Sequence, residues 1–496
     1  MPLFTNEELA DIQGLLLSEW AHLRRSRYLF LQFNDRAGAS AFVEAVMPYV
    51  TSAIQFPERW DDDEDLDAIA TLMFTHSGFA KLALPEEAMW SFAREFIYGM
   101  VKRSPILGDE GFNEPTNWVV GGPNNPEIHA LVTLDAVNDD RMAKLESDVR
   151  AVISAATGIS IIHEESGFRH ATDKEPFGWL DGISQPRIQR MPGYPDNVNN
   201  VCATGEFILG YLNESGIYPP SPFIETSNDP KNLLPKNPEG TKELSNKKDF
   251  GRNGTYVVYR KLYQDVAMFW NYFNQQAKRE DGTIDKERVV FLAAKVVGRW
   301  PSGAPFALSP EKDNAAIGQD AEKRDNFLYN DRDKDGYQTP LSSHIRRANP
   351  RDARFMEEDK NFALGSSDKH RIIRRTVAYN QNDIFPREDV ETFNIPDHVQ
   401  DDGADRGAQF FALNASIRAQ FEFIQIDWIN NRHFQGFRNN QDAIGGGNLG
   451  DSDFEIPAKP ARITLRKVPP FVKVRGGAYF FMPSLSSLRY LAALNA

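Results

Sequence analysis

The sequence predicts an α+β fold made of two similar halves, and two observations support this prediction. Apolar residues that alternate predict strands, and apolar residues that recur at helical spacing predict helices. The same order of predicted strands and helices occurs twice along the 496 residues. A polar stretch at 219–249, rich in Pro, Asn and Lys, separates the two copies as a linker or long surface excursion. A chain of this length is also too long for one ordinary core.

The first half begins with a helical apolar stripe between Glu7 and Arg25. After it, the patterns predict a strand, a helix, two strands, a helix and a strand, at 28–33, 39–46, 68–74, 128–136, 139–157 and 159–163. This is the order of a ferredoxin-like unit, in which helices cover one face of an antiparallel sheet.

The second half repeats this order with a second early helix and a long insertion. The predicted strands lie at 255–262, 376–379, 409–413 and 471–482, and the predicted helices at 265–276, 286–299 and 417–430. The insertion covers 301–370 and contains His344. We therefore expect two duplicated ferredoxin-like domains, residues 1–235 and 236–496, with antiparallel sheets and peripheral helices.

Composition excludes several classes of function. The chain is 41% hydrophobic and 25% charged, with 70 acidic against 56 basic residues and a net charge of −14. Binding to nucleic acid or to an anionic membrane needs clustered positive charge, so neither partner is expected. No apolar run approaches the roughly 20 residues that cross a bilayer. The single cysteine, Cys202, excludes an internal disulfide and a Cys-based metal site.

The compartment is only weakly indicated. The first residues carry no basic segment followed by an apolar one, so no signal peptide is expected in this sequence. Three Asn-x-Ser/Thr triplets, at Asn213, Asn253 and Asn414, are weak support for secretion. We expect an extracellular location in preference to a cytoplasmic one, and a monomer or a homodimer.

Three separated segments carry the candidate chemistry. Asp181 stands in the pattern Gly-x-x-Asp-Gly at 178–182, which predicts a turn that directs a carboxylate. His344 is followed closely by arginines, an arrangement that suits an iron-bound imidazole next to the carboxylates of a haem. The alternative for this segment, a basic surface turn, stays open. The third segment, 372–375, ends in the pair Arg374-Arg375.

Two other motifs do not support a site of their own. The glycines at 445–450 match a dinucleotide fingerprint by letter, but no helix follows, so we interpret them as a flexible loop. The acids Asp331, Asp333 and Asp335 lack the rest of a calcium loop. They predict a solvated acidic turn, with a surface Mn²⁺ site as the alternative.

Taken together, the segments at 178–182, 344–347 and 372–375 resemble the signature of the dye-decolourising peroxidases. Further similar stretches occur through most of the chain, at 11–14, 297–301 and 475–481. The layout is most similar to the fungal-type branch of that family.

The resemblance implies one b-type haem per chain, held between the sheet and the helices of the second half, with His344 as the iron ligand. Asp181 would move the peroxide proton as a general acid–base, and Arg374 would hold the negative charge that develops. Strand alternation and the motif match both favour Arg374 over Arg375.

The resemblance also implies a set of residues around the haem. These are Arg346 at the haem carboxylates, Gly182 and Ile183 beside the macrocycle, and Phe410 lining the peroxide pocket, although a plain core position is the alternative for Phe410. Asp442 would support the His344 imidazole, with Asp427 as the rival.

The function implied is that of a haem peroxidase that reduces hydrogen peroxide and oxidises dyes and phenols in one-electron steps, with Mn²⁺ as a further candidate reductant. Bulky reductants would pass electrons to surface aromatics, for which Tyr379 and Trp428 are candidates. The alternative function is a haem-binding or carrier protein with only incidental peroxidase activity.

Overall fold

The computed structural model describes residues 3–55, 66–191, 200–237, 246–353, 365–380 and 382–494. The strands in these ranges are β1 (Arg25–Phe33), β2 (Ala68–Phe74), β3 (Ala130–Ala136), β4 (Ile159–Phe168), β5 (Arg187–Ile188), β6 (Val201–Cys202), β7 (Phe223–Glu225), β8 (Lys247–Asp249), β9 (Thr255–Gln264), β10 (Ile373–Arg374), β11 (Val377–Tyr379), β12 (Gly407–Asn414), β13 (Ser452–Ile456), β14 (Ile463–Val468) and β15 (Val472–Met482).

The α-helices of the described ranges are α1 (Asn6–Asp11), α2 (Arg36–Val46), α3 (His76–Lys81), α4 (Glu86–Ser91), α5 (Arg94–Arg103), α6 (Asp139–Ala155), α7 (Val266–Gln276), α8 (Lys286–Val297), α9 (Ala315–Gln319), α10 (Asn330–Asp333), α11 (His344–Ala348) and α12 (Leu485–Ala493). None of the described helices combines the length and the apolarity that a membrane span requires.

Nine strands form one large sheet in the order β10-β12-β9-β15-β2-β3-β1-β4, with β11 also paired to β12. The first half contributes β1, β2, β3 and β4 to this order, and the second half contributes β9, β10, β12 and β15. In each half, the strand that comes second in the chain lies beside the third, then the first and then the fourth, and neighbouring strands are antiparallel. The same ferredoxin-like order therefore occurs twice, and the predicted fold class is confirmed.

The two halves meet edge to edge within this sheet. β15, the last strand of the second half, pairs with β2 of the first half through Phe481 and Phe74. Alternation along β1 then separates two cores: Leu29 and Leu31 pack in one apolar cluster, and Tyr28 and Phe30 in the other. The sheet is thus buried on both faces.

The predicted strands and helices recur with small shifts in their ends, apart from the first helix and the helix at 417–430. The helix expected between Glu7 and Arg25 ends at Asp11, so that prediction is wrong beyond Asp11. Ile12 is already extended, and Trp20 has a φ of +41°, which an α-helix does not allow. The apolar stripe exists because Ile12, Leu16 and Trp20 pack into the core beneath the sheet.

The second half carries its own apolar cluster away from the sheet. α7 and α8 pack there together with the hairpin of β13 and β14, which sequence patterns did not predict. The polar stretch at 219–249 includes the paired strands β7 and β8, whereas 238–245 lies outside the described residues. The helix predicted at 417–430 is π-helical over Arg418–Glu422 and Ile424–Ile429.

Candidate active site

A cavity of about 340 Å³ opens between the sheet and the helices of the second half. β9, β10 and β12 contribute to one part of its wall, and α11, the π-helical segment and the loop at 444–447 contribute to another. Segments 107–113 and 175–184 of the first half complete the lining. The cavity therefore draws on both halves of the chain.

His344 is the first residue of α11 and lies on the wall of this cavity. Its Nδ1 is hydrogen-bonded to Asp442 Oδ2 at 3.0 Å, and the Asp442 carboxylate is fully buried. Asp442 Oδ1 also accepts from the backbone N–H groups of Ile444 and Gly445, each at 2.8 Å. This arrangement holds the ring in place and offers Nε2 to the cavity.

The Asp442 carboxyl is kept ionised by its neighbours. Burial alone would raise its pKa, but the attraction of His344, the hydrogen bond between them, the Gly445 N–H and the Arg347 charge together lower the pKa. The exposed Asp427, the rival partner for His344, does not occupy this position.

Short contacts hold α11 against the rest of the second half. Gly298 ends α8 with a φ of +100°, and a Cβ there would lie 2.5 Å from Ile345 Cγ1. At the other end of α11, Asn349 precedes Pro350 and is extended, which terminates the helix. The fully buried Arg347 donates to the carbonyls of Trp428 and Asn440.

Arg346 does not take the position expected for it at the haem carboxylates. Its side chain is fully buried, does not line the cavity, and donates to Asp333 Oδ2 at 3.2 Å and to the carbonyls of Asp333 and Thr339. On α11 this side chain points toward the 333–339 segment, where both Nη atoms are hydrogen-bonded while Nε has no partner among the described residues.

Asp181 and Arg374 face each other at 4.0 Å between Oδ1 and Nη1, and each side chain is about one-third exposed. Arg374 Nη2 donates to Ile183 O at 2.5 Å. The side chain of Gln185 bonds both backbone groups of Arg374, accepting at 2.9 Å and donating at 3.0 Å. The loop that carries Asp181 is thereby joined to β10.

Arg375 has a different environment from Arg374. It donates from Nε to Leu15 O at 2.8 Å and is absent from the lining of the large cavity. Ile183 and Phe410 both belong to that lining, and Phe410 lies with its ring centroid 6.5 Å from that of Phe421.

The two glycines around Asp181 serve the backbone of the loop. Gly178 has a φ of +102° and a Cβ there would lie 2.5 Å from Val390 Cγ2; Gly182 has a φ of +74°. Gly182 N donates to Asp181 Oδ1 at 2.7 Å, which orients the carboxylate. Gly182 itself does not line the large cavity, whereas its neighbours Asp181 and Ile183 do.

One end of the cavity is cationic, which the sequence did not predict. Arg299 and Arg351 both donate to Asp325 Oδ1, and Arg299 also donates to Ser184 Oγ at 3.0 Å. Burial opposes the ionisation of Asp325, but the charges of Arg351 and Arg299 lower its pKa to about 2. Arg371 completes the cluster and donates to Ser184 O at 3.0 Å.

Several buried polar groups of the cavity wall lack hydrogen-bond partners among the described residues, and they include Tyr329 Oη and Asn349 Nδ2. Unpaired buried donors are costly, and together with Arg299, Arg351 and Arg371 they provide binding groups for an anionic substituent. Arg351 lies in the arginine-rich segment after His344, whereas no local pattern marks Tyr329 or Asn349.

The cavity fits a haem on these observations. Its walls carry Leu262, Val297, Ile372 and Ile429 for an apolar macrocycle, and the cationic end suits carboxylate substituents. His344, backed by Asp442, is an iron ligand of the usual kind. Gly445, Gly446 and Gly447, interpreted from sequence as part of a flexible loop, are instead part of this wall.

The aromatics expected at the surface are buried. Tyr379 is 5% exposed and Trp428 4%, so neither is a surface group. Tyr379 Oη donates to Asp405 Oδ1 at 3.0 Å, and the Asp405 side chain is half exposed. Trp428 packs against Phe423, with ring centroids 5.3 Å apart.

The acidic turn at 331–335 lies only partly at the surface, since Asp331 and Asp335 are exposed and Asp333 is buried. Asp333 is 5% exposed and accepts from the backbone of Gln338 and Thr339 as well as from Arg346. The described residues contain no group of three or more His, Cys, Asp or Glu side chains arranged to hold a metal ion.

The chain was compared with known proteins by sequence. No family model matches it. A dye-decolorizing peroxidase from Exidia glandulosa is 27% identical over 493 residues, covering 96% of this chain and 86% of the relative. Dye-decolorizing peroxidase AauDyP1 from Auricularia auricula-judae is 26% identical with the same coverage. Multifunctional dye peroxidase DyP2 from an Amycolatopsis strain is 28% identical and covers 97% of this chain and 96% of the relative.

Solved structures agree on the fold. An ancestral D-type dye decolorizing peroxidase superposes with a TM-score of 0.76 at 24% identity over 100% of both chains. A dye-decolorizing peroxidase complexed with cyanide gives a TM-score of 0.75 at 24% identity, covering 98% of this chain and 99% of that one.

The fold and the cavity, with its histidine wall and its carboxylate–arginine pair, define the class of this protein as a haem peroxidase. Similarity to the curated relatives extends over nearly the whole chain. The relatives that the chain resembles are dye-decolourising peroxidases, fungal ones among them, at 26–28% identity.

Proposed function

We propose that this protein binds one haem b per chain through His344 and uses it to reduce hydrogen peroxide while oxidising dyes and phenols in one-electron steps. The observation that carries the proposal is one cavity that is lined both by His344, hydrogen-bonded to a buried carboxylate, and by the Asp181–Arg374 pair. When bound, the haem supplies an iron that coordinates peroxide and exchanges electrons with it.

Asp181 takes a proton from one oxygen of peroxide and returns it to the other oxygen, which leaves as water. Its carboxylate is free to do so because its Oδ1 accepts only a short-range backbone bond, from Gly182, and lies 4.0 Å from Arg374 Nη1. The guanidinium of Arg374 stabilises the negative charge that develops on the oxygens.

The other residues of the wall bind and orient the cofactor. Asp442 holds the His344 ring and increases its electron donation. Arg299, Arg351 and Arg371, with Tyr329 and Asn349, hold the two carboxylates of the macrocycle. Ile183 and Phe410 line the cavity and restrict the space that is left for peroxide and water.

Reductants too large for this space are oxidised at the protein surface. A structure similar in fold, a dye-decolorizing peroxidase, is known in complex with 2,6-dimethoxyphenol, a phenol. In this chain Tyr379 is the better relay, because its phenol donates to the half-exposed carboxylate of Asp405, which can accept the proton as an electron leaves. Mn²⁺ oxidation is not part of the proposed function, since Asp333, the central acid of the turn at 331–335, is buried and is bonded to Thr339 N and to Arg346.

A spectroscopic and kinetic experiment tests the proposal. The protein with haem should show a Soret band, react rapidly with peroxide and then oxidise a phenol. Asp181→Asn should keep the Soret band and slow the reaction with peroxide by about 100-fold or more. Asp427→Asn, at an exposed acid outside the cavity, is the matched control and should behave like the wild type.

The same experiment separates the peroxidase from a haem carrier. A Soret band without peroxide-dependent oxidation would support the carrier, and no Soret band at all would overturn the assignment of the cavity.

A further inference from the structure

A second, smaller cavity lies beside the first. Its volume is about 40 Å³, enough for about three water molecules. Asp181, Arg374 and Thr376 belong to the linings of both cavities, so the small cavity borders the carboxylate–arginine pair. Its remaining wall comes largely from the first half of the chain, including Thr133 and Asp135 of β3.

Asp135 is an acid in an unusual position. It lies on a strand flanked on both sides, opposite Ser26 of β1 and Ile69 of β2. Its Oδ1 accepts a hydrogen bond from Ser26 Oγ at 2.5 Å. Burial raises the pKa of Asp135 to about 6, against the opposing effects of the Ser26 hydrogen bond and the Arg169 charge. Asp135 thus changes its protonation in mildly acidic solution.

Two unpaired hydroxyls accompany this acid in the cavity wall. Thr133 Oγ1 and Thr376 Oγ1 are buried and have no hydrogen-bond partner among the described residues. Thr133 precedes Asp135 by two residues on β3 and therefore faces the same side of the sheet, and Thr376 follows Arg374 by two residues. Water in the cavity would satisfy both hydroxyls and connect the Asp135 side of the cavity with the Asp181 side.

The stoichiometry of peroxide reduction requires such a connection. One H₂O₂ takes up two electrons and two protons to give two H₂O. The electrons come from a reductant that is oxidised outside the cavity. The protons that this reductant loses pass into the solvent. Two protons per turnover must therefore reach the Asp181–Arg374 pair from elsewhere.

We propose that Asp135 is a proton donor to Asp181 through water in the small cavity. The proposal rests on the function proposed above and adds a positioning and proton-transfer residue to it. Protonated Asp135 gives its proton to a cavity water, and a water next to Asp181 gives a proton to that carboxylate. Asp135 is left ionised, and solvent reprotonates it through the same cavity, whose wall includes the partly exposed Glu19 and Arg169.

The groups that face Asp135 are compatible with this role. Burial, together with the charge of Asp135, raises the pKa of Tyr28 well above its usual value, so Tyr28 stays neutral. Ser26 of β1 donates to Asp135, and β2 presents the apolar Ile69. The other charged groups of the cavity are Glu19, Arg169, Asp181, Arg374 and Arg375. Three arginines against three acids leave the cavity close to neutral, which suits passage of a proton.

The test compares Asp135→Asn with the wild-type holoenzyme and with Glu206→Gln. Glu206 is the matched control: it is a buried acid whose pKa burial raises to about 7, and it lines neither cavity. Asparagine can still accept from Ser26, so the sheet should be retained. At saturating phenol we expect turnover of Asp135→Asn to fall about tenfold, with a larger solvent isotope effect, while Glu206→Gln stays within twofold of the wild type.

Two readouts separate proton transfer from a structural defect. In the apoprotein, burial raises the pKa of both Asp135 and Asp368 to about 6, so the infrared band of protonated carboxylic acid that titrates near pH 6 should shrink without disappearing in Asp135→Asn and should be retained in Glu206→Gln. Formate added as a small weak acid should restore part of the turnover of Asp135→Asn, which it would not do for a distorted site. If Asp135→Asn does not fold, Thr133→Val, which removes one unpaired hydroxyl, should show the same direction of change.

Unchanged turnover and an unchanged pH profile in folded Asp135→Asn would overturn the proposal. A wild-type protein that lacks a Soret band or peroxide turnover would instead overturn the function on which it rests, and the infrared titration would still report whether Asp135 titrates.

Discussion

The side-chain amide of Gln185 binds both backbone groups of Arg374, accepting from its N–H at 2.9 Å and donating to its carbonyl at 3.0 Å. The two residues are 189 positions apart in sequence. These two bonds have the pattern that a neighbouring strand would make with the short β10. They also set the position of Arg374 relative to the loop that carries Asp181. The geometry of the Asp181–Arg374 pair therefore depends on a residue that performs no chemistry itself.

Removal of this amide should disturb the peroxide reaction without emptying the cavity. In Gln185→Ala two neutral hydrogen bonds of about 1 kcal/mol each are lost, so Arg374 becomes less well positioned. We expect kcat/KM for peroxide to fall roughly tenfold while the Soret band is retained. Stopped-flow mixing with peroxide measures the change, and Gln400→Ala, at an exposed position, is the control. A rate equal to that of the wild type would show that β10 holds Arg374 unaided.

The hydrogen bond between His344 and Asp442 should control haem affinity. In Asp442→Asn the fixed charge beside Nδ1 is lost, and the amide no longer orients the imidazole as the carboxylate does. Loss of such a partner commonly lowers metal affinity by about 10- to 100-fold. Titration of the apoprotein with haem, followed at the Soret band, measures the affinity. Asp427→Asn should leave it unchanged, because the exposed Asp427 does not bind His344.

The buried carboxylate Asp325 should make stability depend on acid pH. Its pKa is about 2 in the folded protein against an ordinary 3.8, despite burial, because Arg351 and Arg299 attract the charge. A lowered pKa stabilises the fold above the unfolded value, so this contribution is complete above about pH 5 and is lost as pH falls toward 2. The shift corresponds to about 2 kcal/mol of unfolding free energy at pH 7.

Urea unfolding at several pH values measures this contribution. Asp325→Asn should lower the unfolding free energy by about 3 kcal/mol at pH 7, because two buried arginines lose their shared partner. The difference from the wild type should shrink as pH is lowered toward 2. A difference that stays constant with pH would contradict the assignment of the effect to the Asp325 charge.

The close contact between Gly298 and Ile345 should couple α8 to the haem ligand. Alanine at position 298 would be strained at a φ of +100°, and its Cβ would lie 2.5 Å from Ile345 Cγ1. We expect Gly298→Ala to destabilise the protein by about 1 to 2 kcal/mol and to reduce haem content, because α11 must shift. Gly282→Ala is a matched control: its φ is also positive, at +88°, but a Cβ there would meet nothing within 4 Å. Equal haem content in the two variants would argue against coupling through α11.

Local patterns in the sequence determined the repeated strands and helices, because alternation and helical spacing reflect burial of one face of each element. They also singled out Asp181 and His344, since an acid in a glycine turn and a histidine followed by arginines are unusual within a few residues, whereas Arg374 was chosen through the family resemblance and strand alternation. The first helix was overestimated because Ile12, Leu16 and Trp20 are apolar for packing into the sheet core, at a spacing that happens to imitate a helix.

Only the tertiary structure decided which distant groups meet. It places Asp442 rather than Asp427 at His344, sends Arg346 to Asp333 and not to the cavity, buries Tyr379, and brings Arg299, Arg351 and Arg371 together. It also joins the two halves through Phe481 and Phe74 and opens a small cavity between Asp135 and the Asp181–Arg374 pair. Such contacts depend on the path of the chain between separate segments, and the spacing within any one segment carries no record of that path.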